Sequence, residues 1–209
     1  MKTLLVINAS PNKTQSHSRL LTERFVSLWQ QQHPEDHFIF RELGNEPIPH
    51  VDQQWVKAAF TPPEARDTED NQAIAFSDLL VKELQAADVI VLGSPMHNLS
   101  VPSSLKAYID QVIRMQVTTT LAPGTPGSPY VGLLHNKQAY LLLARGGYGF
   151  GKGEIYEHMD FQEPYLKAIL LMLGITDVTS IKVNQTAMGE TSRLASYEHA
   201  LAQVDALFI

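Results

Sequence analysis

The chain contains no cysteine. That absence excludes a disulfide framework, cysteine-ligated zinc, iron–sulfur clusters and thiol catalysis together. Basic residues are also scarce: 16 Lys and Arg against 22 Asp and Glu leave a formal charge of −6. A nucleic-acid or anionic-membrane surface needs clustered Lys and Arg, so neither partner is expected. The deficit does not bear on one small anion, which a helix N-terminus can hold without a basic side chain. No run approaches the roughly 18 apolar residues of a membrane span. The stretch Leu4–Ile7 is too short for a signal-peptide core, so a soluble, cytoplasmic protein is expected. The histidines are scattered, and the closest pair, His33 and His37, flanks Pro34, so no metal site is expected.

What remains is an ordinary globular composition, 44% hydrophobic over 209 residues, which favours one compact domain spanning residues 1–209. Four short apolar runs read as strands: Thr3–Ile7, Val89–Leu92, Ala139–Leu143 and Val178–Val183. A fifth, His37–Arg41, alternates in a more polar setting. Helical spacing fills the intervals at Ser18–Gln31, Asn71–Ala86, Ser103–Met115, Asp160–Leu173 and Glu190–Leu207. Strands that are apolar throughout, alternating with helices, predict an α/β fold: a parallel sheet covered on both faces. Three stretches fit neither period: Gly44–Pro63 and Thr118–Asn136, both proline-rich, and Gly146–Glu157, with five glycines. They read as insertions that shape a site or an interface.

Five such strands suit the flavodoxin-like order 2-1-3-4-5, whose ligands sit beyond the carboxyl ends of the strands at the switch between the first and third. The loop after the first strand holds Ser10, Thr14, Ser16, His17 and Ser18. Ser16 is placed to cap the next helix, and the hydroxyls with that helix's free N–H groups suit a phosphate. The loop after the third strand, Gly93 to Pro102, is pinned by Pro95 and Pro102 and presents Met96, His97 and Leu99 to a planar ligand. After the fourth strand, Gly146 and Gly147 allow close backbone approach. The same stretch imitates a nucleoside-triphosphate loop, Gly146 to Lys152, but Gly153 stands where a Mg²⁺-ligating hydroxyl is required.

Taken together, Ser10 with Ser16-His17-Ser18, Pro95-Met96-His97-Asn98-Leu99 and Ala144-Arg145-Gly146-Gly147 resemble the FMN-dependent NADH azoreductase and quinone reductase family. The resemblance continues through Pro164-Tyr165-Leu166 and Leu173–Asp177, and so covers nearly the whole chain. It implies bound FMN, with NADH as co-substrate and quinones and azo compounds as acceptors in a ping-pong scheme. It implies that Ser10 and Ser16–Ser18 hold the phosphate end, that Met96–Leu99 lie along the ring, and that Ala144–Gly147 line its pyrimidine side. Hydride transfer would belong to the flavin, with no catalytic side chain. The resemblance also implies a homodimer, in which Trp55, Phe60 and Tyr130 either wall the acceptor pocket or simply pack their loops. His97 replaces an aromatic ring of the family pattern and Ala144 a Ser or Thr; His97 is the departure expected to alter acceptor choice or the pH profile. The competing reading is an FMN electron carrier serving a protein partner.

Overall fold

A computed structural model describes residues 1–124 and 128–209. Five strands form one parallel sheet: β1 (Thr3–Asn8), β2 (His37–Glu42), β3 (Val89–Pro95), β6 (Gln138–Ala144) and β7 (Asp177–Val183). Their order is β2-β1-β3-β6-β7, which is the expected 2-1-3-4-5 once strands outside the sheet are set aside. Those two, β4 (Thr119–Leu121) and β5 (Tyr130–Gly132), pair antiparallel as a small separate ribbon. Among the described residues six α-helices accompany them: α1 (His17–Gln32), α2 (Gln53–Phe60), α3 (Thr68–Ala86), α4 (Ser103–Val112), α5 (Glu163–Leu173) and α6 (Glu190–Asp205).

Successive strand residues point to opposite faces, and both faces are apolar. Leu5, Ile7, Ile90, Leu92, Leu141 and Leu143 pack under α3, α4 and α5, against Leu80, Leu84, Leu105, Ile109, Leu166 and Leu170. Leu4, Val6, Val89, Val91 and Leu142 face the other way, onto Leu21, Phe25 and Trp29 of α1 and Ala200 and Val204 of α6. A fully buried leucine contributes about 2 kcal/mol. A register slip of one residue would turn each strand's two apolar sets onto the opposite helix layers, against side chains of the wrong shape.

Two of the stretches expected to be irregular contain structure. Gly44–Pro63 encloses α2, which Asp52 caps by accepting a hydrogen bond from the Trp55 N–H at 2.8 Å. Trp55 is buried beside Ala58 and Ile74 and donates from its indole to Gln111 Oε1 at 2.8 Å. Within this chain, therefore, Trp55 packs its own loop, whereas Phe60 is 71% exposed. Thr118–Asn136 carries the β4–β5 ribbon, with Tyr130 partly exposed in β5, while Pro126 lies outside the described residues. Gly132 lies so close to α5 that a Cβ there would fall 1.8 Å from the Gly174 nitrogen. Among the described residues, no helix is long and apolar enough to cross a membrane.

Candidate functional site

The chain after β1 turns sharply. Asn12 Oδ1 accepts from the N–H groups of Thr14 and Gln15 at 3.1 and 3.0 Å, and Ser10 Oγ accepts from Asn12 N–H at 3.3 Å. The expected cap at Ser16 is present: its φ is −93°, and its Oγ accepts from the Arg19 N–H at 3.3 Å. Ser16 Oγ also lies 3.2 Å from Ser18 Oγ. The N–H groups of His17 and Ser18 have no acceptor among the described residues, as the first turn of a helix requires. From the far side, Gly44 presses on this loop; a Cβ there would lie 2.2 Å from the Ser10 carbonyl oxygen.

After β3 the chain folds into a two-residue turn. His97 and Ser100 exchange N–H···O bonds, both 2.9 Å, across Asn98 and Leu99. Those central residues have φ of 47° and 71°, the left-handed region, although neither is glycine. Backbone strain of this kind persists only where the surroundings impose it. The turn leaves the N–H groups of Asn98 and Leu99 without an acceptor among the described residues. It is tied to the neighbouring strand by Met96 N–H, which donates to the Ala144 carbonyl at 2.7 Å.

Beyond β6, the N–H groups of Gly146 and Gly147 are likewise unused. Neither glycine has a positive φ, and a Cβ at either would meet nothing closer than 3.4 Å. The fold itself does not demand glycine here, which suits a backbone left bare for a ligand.

These loops converge on one cleft of about 310 Å³, lined by Ser10, Ser16, His17, Met96, His97, Ala144 and Gly146 among the expected residues. Pro11, Asn12, Gln15, Pro95 and Thr186 line it too. Thr186 follows β7, and its N–H and Oγ both donate to the Arg145 carbonyl, at 3.1 and 3.2 Å. Nothing in its own sequence marks it; its place depends on β7 lying beside β6. Ser18, Asn98, Leu99, Arg145 and Gly147 stand outside the lining. Ser18 is buried behind Ser16. The Arg145 side chain, 1% exposed, turns away from the cleft into an ion pair with Asp160 at 2.7 Å, so only its backbone belongs to the loop.

His17 stands where the loop after β1 enters α1, its ring edge-on to Tyr197 of α6 at 6.0 Å between centroids. Its Nδ1 is buried without a partner. Burial, and then the charge of Arg193, hold its pKa below the ordinary histidine value. The cleft thus suits a phosphorylated planar ligand: a capped helix start with an unsatisfied imidazole nitrogen at one end, and the bare backbone N–H of Gly146 beside Met96 and His97 at the other.

A family model for the flavodoxin-like fold matches residues 2–208. A curated protein of Nostoc punctiforme, FMN-dependent NADH:quinone oxidoreductase, is 42% identical over 207 residues, covering 99% of this chain and 98% of its own. A protein of the same name from Nostoc sp. is 42% identical over 206 residues, covering 97% and 98%. An azoreductase structure from Bacillus anthracis superposes with a TM-score of 0.88 at 24% identity over 100% of this chain and 99% of that one, which bears on the fold. With that architecture and those full-length matches, the chain belongs to the flavodoxin-like fold family.

Proposed function

We propose that this protein is an FMN-dependent reductase that moves two electrons from NADH to quinones and azo compounds, in two half-reactions that share one open face of the cofactor. The reading rests on one observation above the rest: residues from the loops after β1, β3 and β6 line one cleft at the sheet's switch point, where the N–H groups of His17 and Gly146 have no acceptor among the described residues. The names of the full-length relatives agree with it.

In this assignment the N–H groups of His17 and Ser18, with the hydroxyls of Ser10 and Ser16, hold the phosphate end, where the α1 dipole favours negative charge. Met96, His97 and the Asn98–Leu99 turn border the ring. Ala144 and the N–H groups of Gly146 and Gly147 border the region where negative charge grows on reduction. Preorganised N–H donors at such a place need no reorientation when the charge appears. Bound FMN supplies the hydride-accepting and hydride-donating centre. The chain supplies orientation, and no side chain is required as a nucleophile. We infer a cytoplasmic homodimer, since NADH is an intracellular reductant and Phe60, Ile155 and Phe161 leave large apolar surface uncovered on the single chain.

The test is anaerobic. Purified protein is loaded with FMN and mixed with NADH while the visible flavin band is followed. Loss of the band within the mixing time, restored by a stoichiometric amount of benzoquinone, supports the reductase. Bound flavin that NADH leaves oxidised would sink it in favour of an electron carrier for a protein partner.

A further inference from the structure

The Arg145 side chain does not enter the cleft, yet it is among the most deeply buried groups of the chain, 1% exposed. Its Nη2 meets Asp160 Oδ2 at 2.7 Å, and its Nε donates to Gln162 Oε1 at 3.1 Å. Gln162 is fully buried and uses the other end of its amide as well: Nε2 donates to the Ser94 carbonyl at 3.2 Å. One side chain therefore joins the end of β3 to the residue that follows β6. The segment carrying it also reaches the strained turn. Phe161 N–H donates to the Leu99 carbonyl at 3.0 Å, and Ser100 Oγ donates to the Phe161 carbonyl at 3.2 Å.

A buried ion pair adds little net stability compared with apolar residues of the same volume; its best-attested use is to fix one geometry. The geometry to be fixed here is visible. Asn98 and Leu99 are held left-handed at a cost, and the bond from Phe161 is one of the restraints that hold them. Capping of α5 explains only part of the cluster. Asp160 Oδ1 accepts from the N–H groups of Gln162 and Glu163, but Oδ2 and the whole Gln162 side chain serve other loops. No hydrogen bond runs from the cluster to the Ser10–Ser18 loop among the described residues.

We propose that Gln162 and Asp160, acting through buried Arg145, are positioning residues that hold the Asn98–Leu99 turn and the Gly146–Gly147 backbone in register, and so set affinity for the ring half of the flavin and not for its phosphate. This rests on the flavin reading above. Binding lost at the ring affects riboflavin and FMN alike; binding lost at the phosphate affects FMN alone.

The experiment measures dissociation constants of FMN and riboflavin by fluorescence quenching in the dark, with amide hydrogen exchange on the unliganded protein. Gln162→Leu keeps the volume and removes both bonds. Both flavins should weaken about five- to tenfold with their affinity ratio unchanged, and the Asn98 and Leu99 amides should exchange faster. Gln162→Glu keeps the acceptor for Arg145 but cannot donate to Ser94, and should lose less. It also serves if the leucine variant does not fold. Ser16→Ala, by contrast, should change the ratio. The proposal is overturned if the Gln162 variants lower the melting temperature but leave both affinities within twofold, or if only FMN weakens. Wild-type protein that binds neither flavin would overturn the flavin reading itself, whatever the variants do.

Discussion

Arg19 grips Glu42 with two hydrogen bonds, Nη1 to Oε1 at 2.8 Å and Nη2 to Oε2 at 2.6 Å, and so ties the first turn of α1 to the end of β2. Asn8 completes the cluster: its amide donates to Glu42 Oε1 at 2.9 Å, while its Oδ1 accepts from the Thr22 hydroxyl at 2.8 Å. Burial disfavours the Glu42 charge, but the bonds from Arg19 and Asn8 outweigh it and hold the carboxyl below its ordinary range. The start of α1 is thus anchored next to the residues to which we assign the phosphate.

Arg19→Ala leaves a partly buried carboxylate with one amide partner. We expect a loss of about 1–3 kcal/mol in urea unfolding at pH 7, together with weaker FMN binding and less effect on riboflavin. A loss under ~0.5 kcal/mol would place the pair with ordinary surface ion pairs.

The strained turn gives a sharper comparison. Leu99 has φ 71°, where a side chain costs about 1–2 kcal/mol relative to glycine and a β-branched one more. Leu99→Gly relieves that strain but loosens the unfolded chain, so its net effect should stay within about 0.5–1 kcal/mol of zero. Leu99→Val should be less stable than Leu99→Gly by about 1–2 kcal/mol. Equal stabilities would mean that the turn relaxes at no cost and that its strain is unimportant.

The sheet was legible because its three central strands are apolar on both faces and the edge strands still alternate, and the runs beginning at Thr3, His37, Val89, Ala139 and Val178 each match an observed strand to within about three residues at either end. Helix starts were legible where a cap announces them, as at Ser16. α2 was not, because its eight residues are too few for a clear period and stand between prolines. The β4–β5 ribbon was hidden for a similar reason: three-residue strands carry almost no pattern. Seven of the expected site residues line the cleft because each lies at or beyond the carboxyl end of a strand of the sheet. The direction of the Arg145 side chain was not legible, since it is set by Asp160 and Gln162, which follow some fifteen residues later in the sequence. Thr186 and Glu42 were missed because only the pairing of neighbouring strands brings them to the loops.

Glu163 should leave a signature in acid. Burial opposes its charge, but hydrogen bonds from Lys167 and Lys182 prevail and hold the carboxyl at about 2. The unfolded chain takes up this proton near the ordinary 4.5, so the folded state gains stability above that pH and loses it as pH falls toward 2. Glu163→Gln should cost of order 1–2 kcal/mol at pH 7, after allowing for screening by solvent at its lysine partners. The wild-type and variant unfolding curves should converge by about pH 2–3. A constant difference from pH 7 to pH 3 would show that packing, not charge, is what the substitution removes.

His17 titrates in the opposite sense to a paired histidine. Its folded pKa lies below the ordinary value, through burial and then Arg193, while Tyr197 of the same helix adds a ring edge and no charge. The unfolded chain therefore binds more protons than the folded one as pH drops below about 7, and the unliganded protein should lose stability over that descent. His17→Gln should flatten this part of the profile. A phosphate dianion beside the unpartnered Nδ1 would favour the imidazolium and reverse the balance. The FMN-to-riboflavin affinity ratio should then rise several-fold between pH 8 and pH 6.5 in wild type and stay flat in His17→Gln, at roughly one proton taken up per flavin bound. Calorimetry in buffers of different ionisation enthalpy reads that proton directly. If FMN binds with no proton uptake and an unchanged ratio, the imidazole does not meet the phosphate, and the N–H groups of α1 hold it without help from this side chain.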